Sequence, residues 1–275
     1  MSTSLLLIDA GNSRVKWATA DDSGSLAPKG ELPTGEVTAE SIGKLAKEFP
    51  GYRAVLSSVV PKLVPYFQDS FQGRFHRVNS DSPALGLLFK YPEPSQIGAD
   101  RLAAAAAVRE DSLGPAIIIQ CGTATAFSVL DNDGYFCGGV IAPGPHAQLA
   151  ALVGGTAQLP ALPLWLTHQD PRTSSEEAIR QLSMYVTPDL EYPRTGTSTE
   201  EAIRLGVMLG YRGGVNEILR HLCRHSKPPL TSIILTGGNA HFLTGPLEFR
   251  FTLRPLLVFE GLRIIGLRAF KETET

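Results

Sequence analysis

The first seventeen residues constrain the fold most, because they combine a buried strand, a tight polar turn and a second strand. Residues 5–8 (LLLI) lead into Asp9, a Gly-Asn-Ser turn, and a segment in which apolar Val15 and Trp17 alternate with polar residues. This pattern predicts a β-hairpin with Asp9 and Lys16 beside its turn. Small residues let backbone N–H groups approach a phosphate, Asp can hold Mg²⁺, and Lys neutralises phosphate oxygens. The segment is therefore either a phosphate-binding loop or an ordinary polar hairpin, which favours the same residues.

The composition indicates a globular protein and argues against several classes of partner. The 275 residues are 43% hydrophobic and 19% charged, which suits two lobes or one large α/β domain. A formal net charge of −2 without a polybasic run argues against nucleic-acid binding. Because neither a signal-peptide pattern nor an apolar run of membrane-spanning length occurs, we expect a cytoplasmic protein with no membrane partner. The cysteines have no CxxC spacing, which favours free thiols at Cys121, Cys137 and Cys223.

The middle of the chain repeats the opening pattern. A predicted buried strand there is followed by a turn and two further strands, at 116–119, 120–123, 124–130 and 135–141. Gly122 permits close backbone approach and the Thr123 hydroxyl can donate to a phosphate, although a plain β-turn would use the same residues. We therefore expect an α/β protein with two similar lobes, residues 1–114 and 115–275. Their two turns would clamp the phosphates of a nucleotide across a cleft.

A third strand followed by a turn is predicted near the C-terminus. Residues 233–235 form the predicted strand and TGGNA follows from residue 236. Gly237 and Gly238 can lie flat against an adenine ring or a ribose, whereas the local alternative is a turn in which Asn239 caps a helix. The other apolar segments predict strands and helices, with strands at 53–60, 74–79 and 256–259 and helices at 98–110, 199–225 and 262–270.

The segment 98–101 (GADR) begins the alanine-rich helix and places an acidic side chain next to a cationic one. A carboxylate in the first turn of a helix is stabilised by the helix dipole, so Asp100 has a simple capping interpretation. The functional alternative is that Asp100 accepts the proton of a substrate hydroxyl while Arg101 binds an anionic group.

The helix predicted from residue 199 begins with a capping box of Ser198 and Glu201, and a near copy of this pattern occurs at 173–180. Only the later helix continues into glycines at helical spacing, which predict close packing against another helix at a subunit interface: Gly206, Gly210, Gly213 and Gly214. The histidines lack metal-ligand spacing. The absence of GxSxG and GxxxxGK[ST] motifs argues against hydrolases of that type and P-loop kinases.

Taken in order, these segments resemble type III pantothenate kinases, a family with the actin-like ATPase (ribonuclease H-like) fold. The resemblance covers nearly the whole chain. It implies ATP-dependent phosphorylation of pantothenate to 4′-phosphopantothenate, the first step of coenzyme A biosynthesis, by an α/β protein with two similar lobes and a nucleotide cleft. Six motifs carry it: DAGNSRVKW from residue 9, Tyr91 and Pro94 ahead of GADR, QCGTATAFSVLDNDGYFCGGVIAPG from 120, residues 151–160, TSTEEAIRLGVMLGYRGGV from 197, and TGGNA from 236.

The resemblance also implies a role for each candidate residue. Asp100 would be the catalytic base, and Asp9 would organise Mg²⁺ and the phosphates of ATP. The nucleotide would be held by two phosphate loops and an adenosine loop, formed by Ala10, Gly11, Asn12, Ser13, Arg14, Val15 and Lys16, by Gly122, Thr123 and Ala124, and by Gly237, Gly238 and Asn239. The family closes its pantothenate pocket at a dimer interface, so a homodimer is implied. Pantothenate would contact Tyr91, Gly98, Ala99, Asp100, Arg101 and Thr199.

Departures from the family pattern leave several alternatives open. Gln120 stands where the family usually has an Asp that binds an activating K⁺ or NH₄⁺, so dependence on a monovalent cation is undecided. Ser128 stands where the family has a carboxylate, and the duplicate motif makes Ser175 an alternative to Thr199 as a substrate contact. The alternative functions are a nucleotide-binding accessory regulator of gene expression with the same fold, and a kinase of another small alcohol.

Overall fold

The computed structural model describes residues 4–21, 24–111, 114–156, 159–160, 194–224, 232–243 and 247–271. The chain forms two compact units. Unit 1 comprises Met1–Gly114, Ser128–Gly138 and Leu256–Thr275, and unit 2 comprises Pro115–Phe127 and Gly139–Pro255. The division after Gly114 coincides with the boundary expected from the sequence, whereas unit 1 also takes in two later segments that the sequence division assigned to the second lobe.

Unit 1 is built on a five-stranded sheet with the strand order β3-β2-β1-β4-β5. The predicted hairpin is confirmed, since β1 and β2 pair antiparallel, while β4 lies parallel to β1 on its other side. The central strand β1 is almost entirely buried, which explains its uninterrupted apolar sequence. The strands are β1 (Leu5–Ala10), β2 (Arg14–Ala20), β3 (Leu26–Pro33), β4 (Arg53–Ser58) and β5 (Phe75–Arg77).

Six α-helices and five short 3₁₀ helices complete the described elements. The α-helices are α1 (Ala39–Glu48), α2 (Val64–Ser70), α3 (Ala99–Glu110), α4 (Pro145–Gly154), α5 (Thr199–Arg224) and α6 (Leu257–Lys271). The 3₁₀ helices are Thr34–Glu36, Pro61–Leu63, Pro83–Leu85, Pro94–Gln96 and Ala240–Leu243. Among the described residues, no helix combines the length and the apolar character needed to cross a membrane.

The two faces of the unit 1 sheet are covered by different helices. On one face, Leu6 and Ile8 belong to a buried apolar cluster to which α1 and α2 contribute. On the other face, α3 and α6 pack against each other and α6 lies on β1 and β4. Gly261 allows this close approach, because a Cβ there would collide with the backbone of Ala103. The sheet face below α3 is the one that carries Asp9.

The strand predicted at 256–259 is wrong, because Leu256 lies in a turn and the next three residues begin α6, which starts at Leu257. A short apolar run cannot be assigned to strand or helix by periodicity alone. Here the buried residues of the complete segment, among them Leu262, Ile265 and Phe270, recur at helical spacing. The helix packs on the unit 1 sheet, and for this reason the C-terminal segment belongs to unit 1.

A second sheet has the strand order β11-β10-β7-β8-β9-β6. β10 lies parallel to both β7 and β11 in unit 2, while β8 and β9 each have one part in either unit. The sheet consists of β6 (Leu88–Phe89), β7 (Ala116–Cys121), β8 (Ala124–Leu130), β9 (Tyr135–Pro143), β10 (Ser232–Thr236) and β11 (Thr252–Leu253). The duplicate motif at 173–180, which includes Ser175, lies outside the described residues.

Candidate active site

A cluster of polar side chains lies near the carboxyl end of β1. Asp9 pairs with Lys16 across the β1–β2 ladder and with Ser57 across the β1–β4 ladder. Directly opposed residues on neighbouring strands project from the same face of a sheet, so these three side chains share one face. We call Asp9, Lys16, Ser57 and the nearby Asp100 the carboxylate cluster.

Electrostatics within the carboxylate cluster favour binding of a cation. The pKa of Asp9 is raised to about 7, because removal from water and the charge of Asp100 raise it by more than Lys16 and the Ser57 hydroxyl lower it. Burial is the largest cause. Two carboxyl groups that repel each other in a poorly hydrated place hold protons near neutral pH unless a cation joins them.

Asp100 lies in the first turn of α3, where Gly98 is the N-cap. Its Oδ1 accepts a hydrogen bond from the backbone N–H of Arg101 at 2.9 Å, and burial raises its pKa. A Cβ at Gly98 would lie 2.7 Å from that Oδ1, so only glycine leaves the carboxylate room at this position. Ala99 is buried beside it. The carboxyl group thus has the raised pKa of a general base as well as the helix-end position of a cap.

Arg101 is held by side chains of unit 1. Its Nε donates to Ser128 Oγ at 3.0 Å, and its guanidinium lies 5.4 Å from the ring centroid of Phe136. Tyr91 meets Phe136 edge to face, with 6.2 Å between ring centroids. The structure therefore brings Tyr91 together with the GADR segment. Thr199, the remaining predicted pantothenate contact, is the first residue of α5 in unit 2.

The turn of the opening hairpin is tied down by its own backbone and by Thr34. Gly11 N–H donates to the carbonyl of Arg14 at 3.0 Å, and Thr34 donates through Oγ1 to the Gly11 carbonyl at 2.7 Å and through its N–H to the Ser13 carbonyl at 3.0 Å. Asn12 and Ser13 are exposed at the tip. Among the other predicted loop residues, Ala10 and Val15 have side chains in the core, and Arg14 forms an ion pair with Glu31 at 2.5 Å.

In unit 2, three loops converge on the turn after β7. Gly122 N–H donates to the Ala124 carbonyl and Gly144 N–H to the Thr123 carbonyl, each at 3.0 Å. Asn239 donates through Nδ2 to the Gly122 carbonyl at 2.8 Å and through its N–H to the Cys121 carbonyl at 2.9 Å. The Asn239 side chain therefore ties two loops together. We call residues 122–123, Gly144 and 237–239 the glycine loops.

The glycines of these loops are required by close backbone contacts. Gly237 has a φ of +96° and its missing Cβ would collide with the backbone of Cys121, and a Cβ at Gly144 would lie 2.6 Å from the Gly122 carbonyl oxygen. Gly238 differs, because a Cβ there would meet no described atom within 4 Å. No described neighbour therefore covers its surface, and its contact with an adenine or a ribose stays a prediction.

Sequence reasoning missed several residues of these sites. Ser57 lies outside the motifs, and Phe136 and Gly144 lie in the motif from residue 120 but had no role assigned; strand pairing and packing bring these three residues to their sites. Ser128 drew attention only as a departure from a pattern. Gln120 is 8% exposed, lies opposite Thr236 on β10, and its Oε1 accepts no hydrogen bond from any described residue.

Comparison with solved structures defines the class of protein. The activator of 2-hydroxyisocaproyl-CoA dehydratase from Clostridium difficile, solved with bound ADPNP, superposes with a TM-score of 0.52 at 11% identity, covering 100% of this chain and 98% of that one. The ethanolamine utilization protein EutJ from Carboxydothermus hydrogenoformans gives 0.50 at 12% identity, covering 96% and 90%. The chain thus has the fold of the actin-like ATPases.

Comparison of sequences defines the family within this class. The sequence profile of type III pantothenate kinases matches residues 5–221. The type III pantothenate kinases of Methylacidiphilum infernorum and Akkermansia muciniphila are each 32% identical to this chain, covering 95% and 94% of it and 88% and 96% of their own lengths. The chain belongs to the type III pantothenate kinase family. It is therefore a kinase of coenzyme A biosynthesis that phosphorylates pantothenate.

Proposed function

We propose that this chain transfers the γ-phosphoryl group of ATP to the terminal hydroxyl of pantothenate with Asp100 as the general base. The observation that carries the proposal is the place of Asp100 in the first turn of α3 near Asp9: burial raises the pKa of both carboxyl groups, and the charge of Asp100 raises that of Asp9. A base with a raised pKa accepts a hydroxyl proton more readily at neutral pH. Positioning and charge stabilisation supply the rest of phosphoryl transfer.

The carboxylate cluster fits Mg²⁺. The ion takes one or two carboxylates together with water and phosphate oxygens, so it needs no cage of protein ligands, and no group of three or more acidic, histidine or cysteine residues suited to a metal occurs among the described residues. Asp9 would hold the ion, which supplies charge neutralisation at the phosphates when bound. Lys16, on the neighbouring strand, adds a second positive charge on the same face of the sheet.

ATP and pantothenate would be held by the two kinds of site described above. The turn 11–13, together with Lys16, and the glycine loops of unit 2 offer backbone donors and open glycine surface to a nucleotide. Tyr91, Gly98 and Arg101 would bind pantothenate, whose carboxylate is complementary to the Arg101 cation. Thr199, the first residue of α5 in unit 2, is the further pantothenate contact that the family resemblance implies.

We also propose that the chain acts as a homodimer through α5. This helix carries Leu209, 51% exposed, and glycines at 206, 213 and 214 where a Cβ would meet no described atom within 4 Å. Nothing in the described chain requires these glycines, whereas a partner helix packed closely against them would. Light scattering should give twice the mass of one chain, and Gly213→Phe should convert the dimer into monomer.

The monovalent-cation requirement follows from Gln120. Its unpartnered Oε1 is an oxygen donor, but the amide is neutral and holds K⁺ or NH₄⁺ less tightly than a carboxylate would. We therefore propose that replacing Na⁺ by K⁺ raises activity by less than about twofold, and that Gln120→Asp increases the dependence on K⁺. The metabolic step and the free cysteines suit the cytoplasm.

The decisive experiment is a coupled assay of ADP release with Mg²⁺ and ATP, with and without pantothenate, in Na⁺ and in K⁺ buffer. Pantothenate-dependent release is expected, and Asp100→Asn should lower kcat by about 10³-fold while leaving nucleotide affinity within a factor of about three. Glu110→Gln, the same change at the other end of α3, is the matched control and should retain kcat. The proposal would be contradicted if ADP were released with other small alcohols but not with pantothenate, or if the protein bound nucleotide without any turnover.

A further inference from the structure

Arg101 is held by two neutral neighbours from the segment 128–138. Its Nε donates to the Ser128 hydroxyl at 3.0 Å, and its guanidinium lies 5.4 Å from the centroid of the Phe136 ring. A hydroxyl and a ring face orient a cation without cancelling its charge, unlike a carboxylate at the same place. The two contacts therefore fix a direction for the guanidinium without adding a negative charge to that of the neighbouring Asp100.

Both neighbours are themselves immobilised. Ser128 and Phe136 are fully buried, each 0% exposed, on β8 and β9. Phe136 is also flanked by the rings of Phe89 and Tyr91, with 6.2 Å between centroids in each pair. A fully buried side chain on a strand keeps one rotamer, so the acceptor oxygen and the ring face stay fixed when Arg101 meets a ligand.

The same segment is attached to α3 a second time, at the other end of the helix. Arg109 Nη1 donates to the carbonyl oxygens of Asp133 and Gly134 at 3.0 and 2.8 Å. This contact fastens the turn between β8 and β9 to α3 through backbone atoms. Arg109 thus holds the segment against α3. The contacts of Ser128 and Phe136 with Arg101 instead determine the direction of the Arg101 side chain.

We propose that Ser128 and Phe136 are positioning residues that preset Arg101 to receive the carboxylate of pantothenate. The proposal rests on the proposed function, in which Arg101 binds this acceptor. A guanidinium already held in its binding direction loses less side-chain freedom when a carboxylate docks on it. The two residues therefore set the affinity for the anionic end of the acceptor and leave the chemistry at its hydroxyl unchanged.

The test compares pantothenate with pantothenol, the neutral analogue in which a hydroxymethyl group replaces the carboxylate. Ser128→Ala should raise KM for pantothenate about 5- to 10-fold, leave kcat within about twofold, and leave KM for pantothenol unchanged. Ser128→Thr keeps an Oγ and should restore the KM for pantothenate. Phe136→Leu should show the same selectivity for the anionic acceptor, and it carries the test if Ser128→Ala does not fold.

Arg109→Ala is the matched control, because it loosens the same segment without touching Arg101. It should lower the Tm and leave the ratio of the two KM values unchanged. The proposal is overturned if Ser128→Ala and Phe136→Leu raise both KM values by the same factor, or if Arg109→Ala reproduces their selectivity. Arg101→Ala separates the two levels of inference. If Arg101→Ala leaves the KM for pantothenate unchanged, Arg101 does not bind pantothenate. If Arg101→Ala raises this KM but the substitutions at 128 and 136 do not, these two residues do not position Arg101.

Discussion

The carboxylate cluster of unit 1 and the glycine loops of unit 2 are built by opposite means. The first places charged side chains on the regular frame of β1, β2, β4 and α3, where burial raises the pKa of Asp9 and Asp100 and the charge of Asp100 also raises that of Asp9. The second places backbone groups at close range, with Asn239 as a side-chain tie and with glycines where a Cβ would strike a neighbouring loop. A substitution in the first region should therefore alter charge and leave the backbone in place, while an added methyl group in the second should displace the backbone.

The largest effect on folding is expected at Gly237. Gly237→Ala puts a Cβ against the Cys121 backbone at a residue with φ of +96°, so both strain and collision apply. We expect the free energy of unfolding to fall by about 3 kcal/mol and nucleotide binding to be lost with it. Denaturant titration and fluorescence binding of an ATP analogue measure the two effects.

Gly238→Ala is the matched control for that change, because the neighbouring position faces open space within the described part of the chain. Its unfolding free energy should stay within about 0.5 kcal/mol of the unsubstituted protein. Equal destabilisation by both alanines would mean that chain flexibility, rather than the contact with Cys121, determines the cost, and the contrast between the two regions would then fail.

The sequence predicted the frame of the first region better than its electrostatics. The apolar run 5–8, the Gly-Asn-Ser turn and the alternation around Val15 and Trp17 predicted the β1–β2 hairpin and placed Asp9 and Lys16 beside its turn, where the structure pairs them. The approach of Asp100 to Asp9 depends on how α3 packs over the sheet, and no periodicity encodes that. The contacts of Arg101 with Ser128 and Phe136 likewise span 27 and 35 residues of sequence and arise only from tertiary packing.

In the second region, local patterns predicted the turns but left their contacts open. Gly237 and Gly238 look equivalent in the sequence, yet only Gly237 has a positive φ and a backbone neighbour. Asn239 had an alternative interpretation as a helix cap, and it does precede the 3₁₀ helix Ala240–Leu243, but the hydrogen bond from its side chain to the Gly122 carbonyl was not predicted. Gly144 ends the motif that begins at residue 120, but its contact was not predicted, because its partner turn lies about twenty residues earlier in the chain and is met only after β8 and β9.

Asp9→Asn tests the electrostatic side of the comparison, with an intermediate effect that depends on pH. The folded-state pKa of Asp9 is raised from 3.8 to about 7, so its contribution to stability is most favourable below pH 4 and is lost as the pH rises to 7. Asp9→Asn has no carboxyl group at this position and does not lose stability in this way. Its unfolding free energy relative to the parent should therefore increase by roughly 2 kcal/mol between pH 4 and 8, less than full burial would give because Asp9 is only partly buried.

Thermal unfolding across that pH range measures the effect, and Asp69→Asn, on the exposed side of α2, controls for the substitution itself. A difference between Asp9→Asn and the parent that stays constant from pH 4 to 8 would show that Asp9 is well solvated. Burial would then not be the cause of the raised pKa of Asp9 in the first region.

The smallest effect is expected at Asn239, the side chain that joins two of the glycine loops. Asn239→Ala removes the Nδ2 donor from the Gly122 carbonyl, a hydrogen bond at an exposed position, and should cost about 1 kcal/mol with a KM for ATP raised two- to fourfold. Asn239→Asp keeps the shape but turns an oxygen towards that carbonyl, so it should be the worse of the two. If alanine lowers stability and raises the KM for ATP more than aspartate does, the side chain acts through its volume. The second region would then not depend on the hydrogen bond from Asn239 to the Gly122 carbonyl.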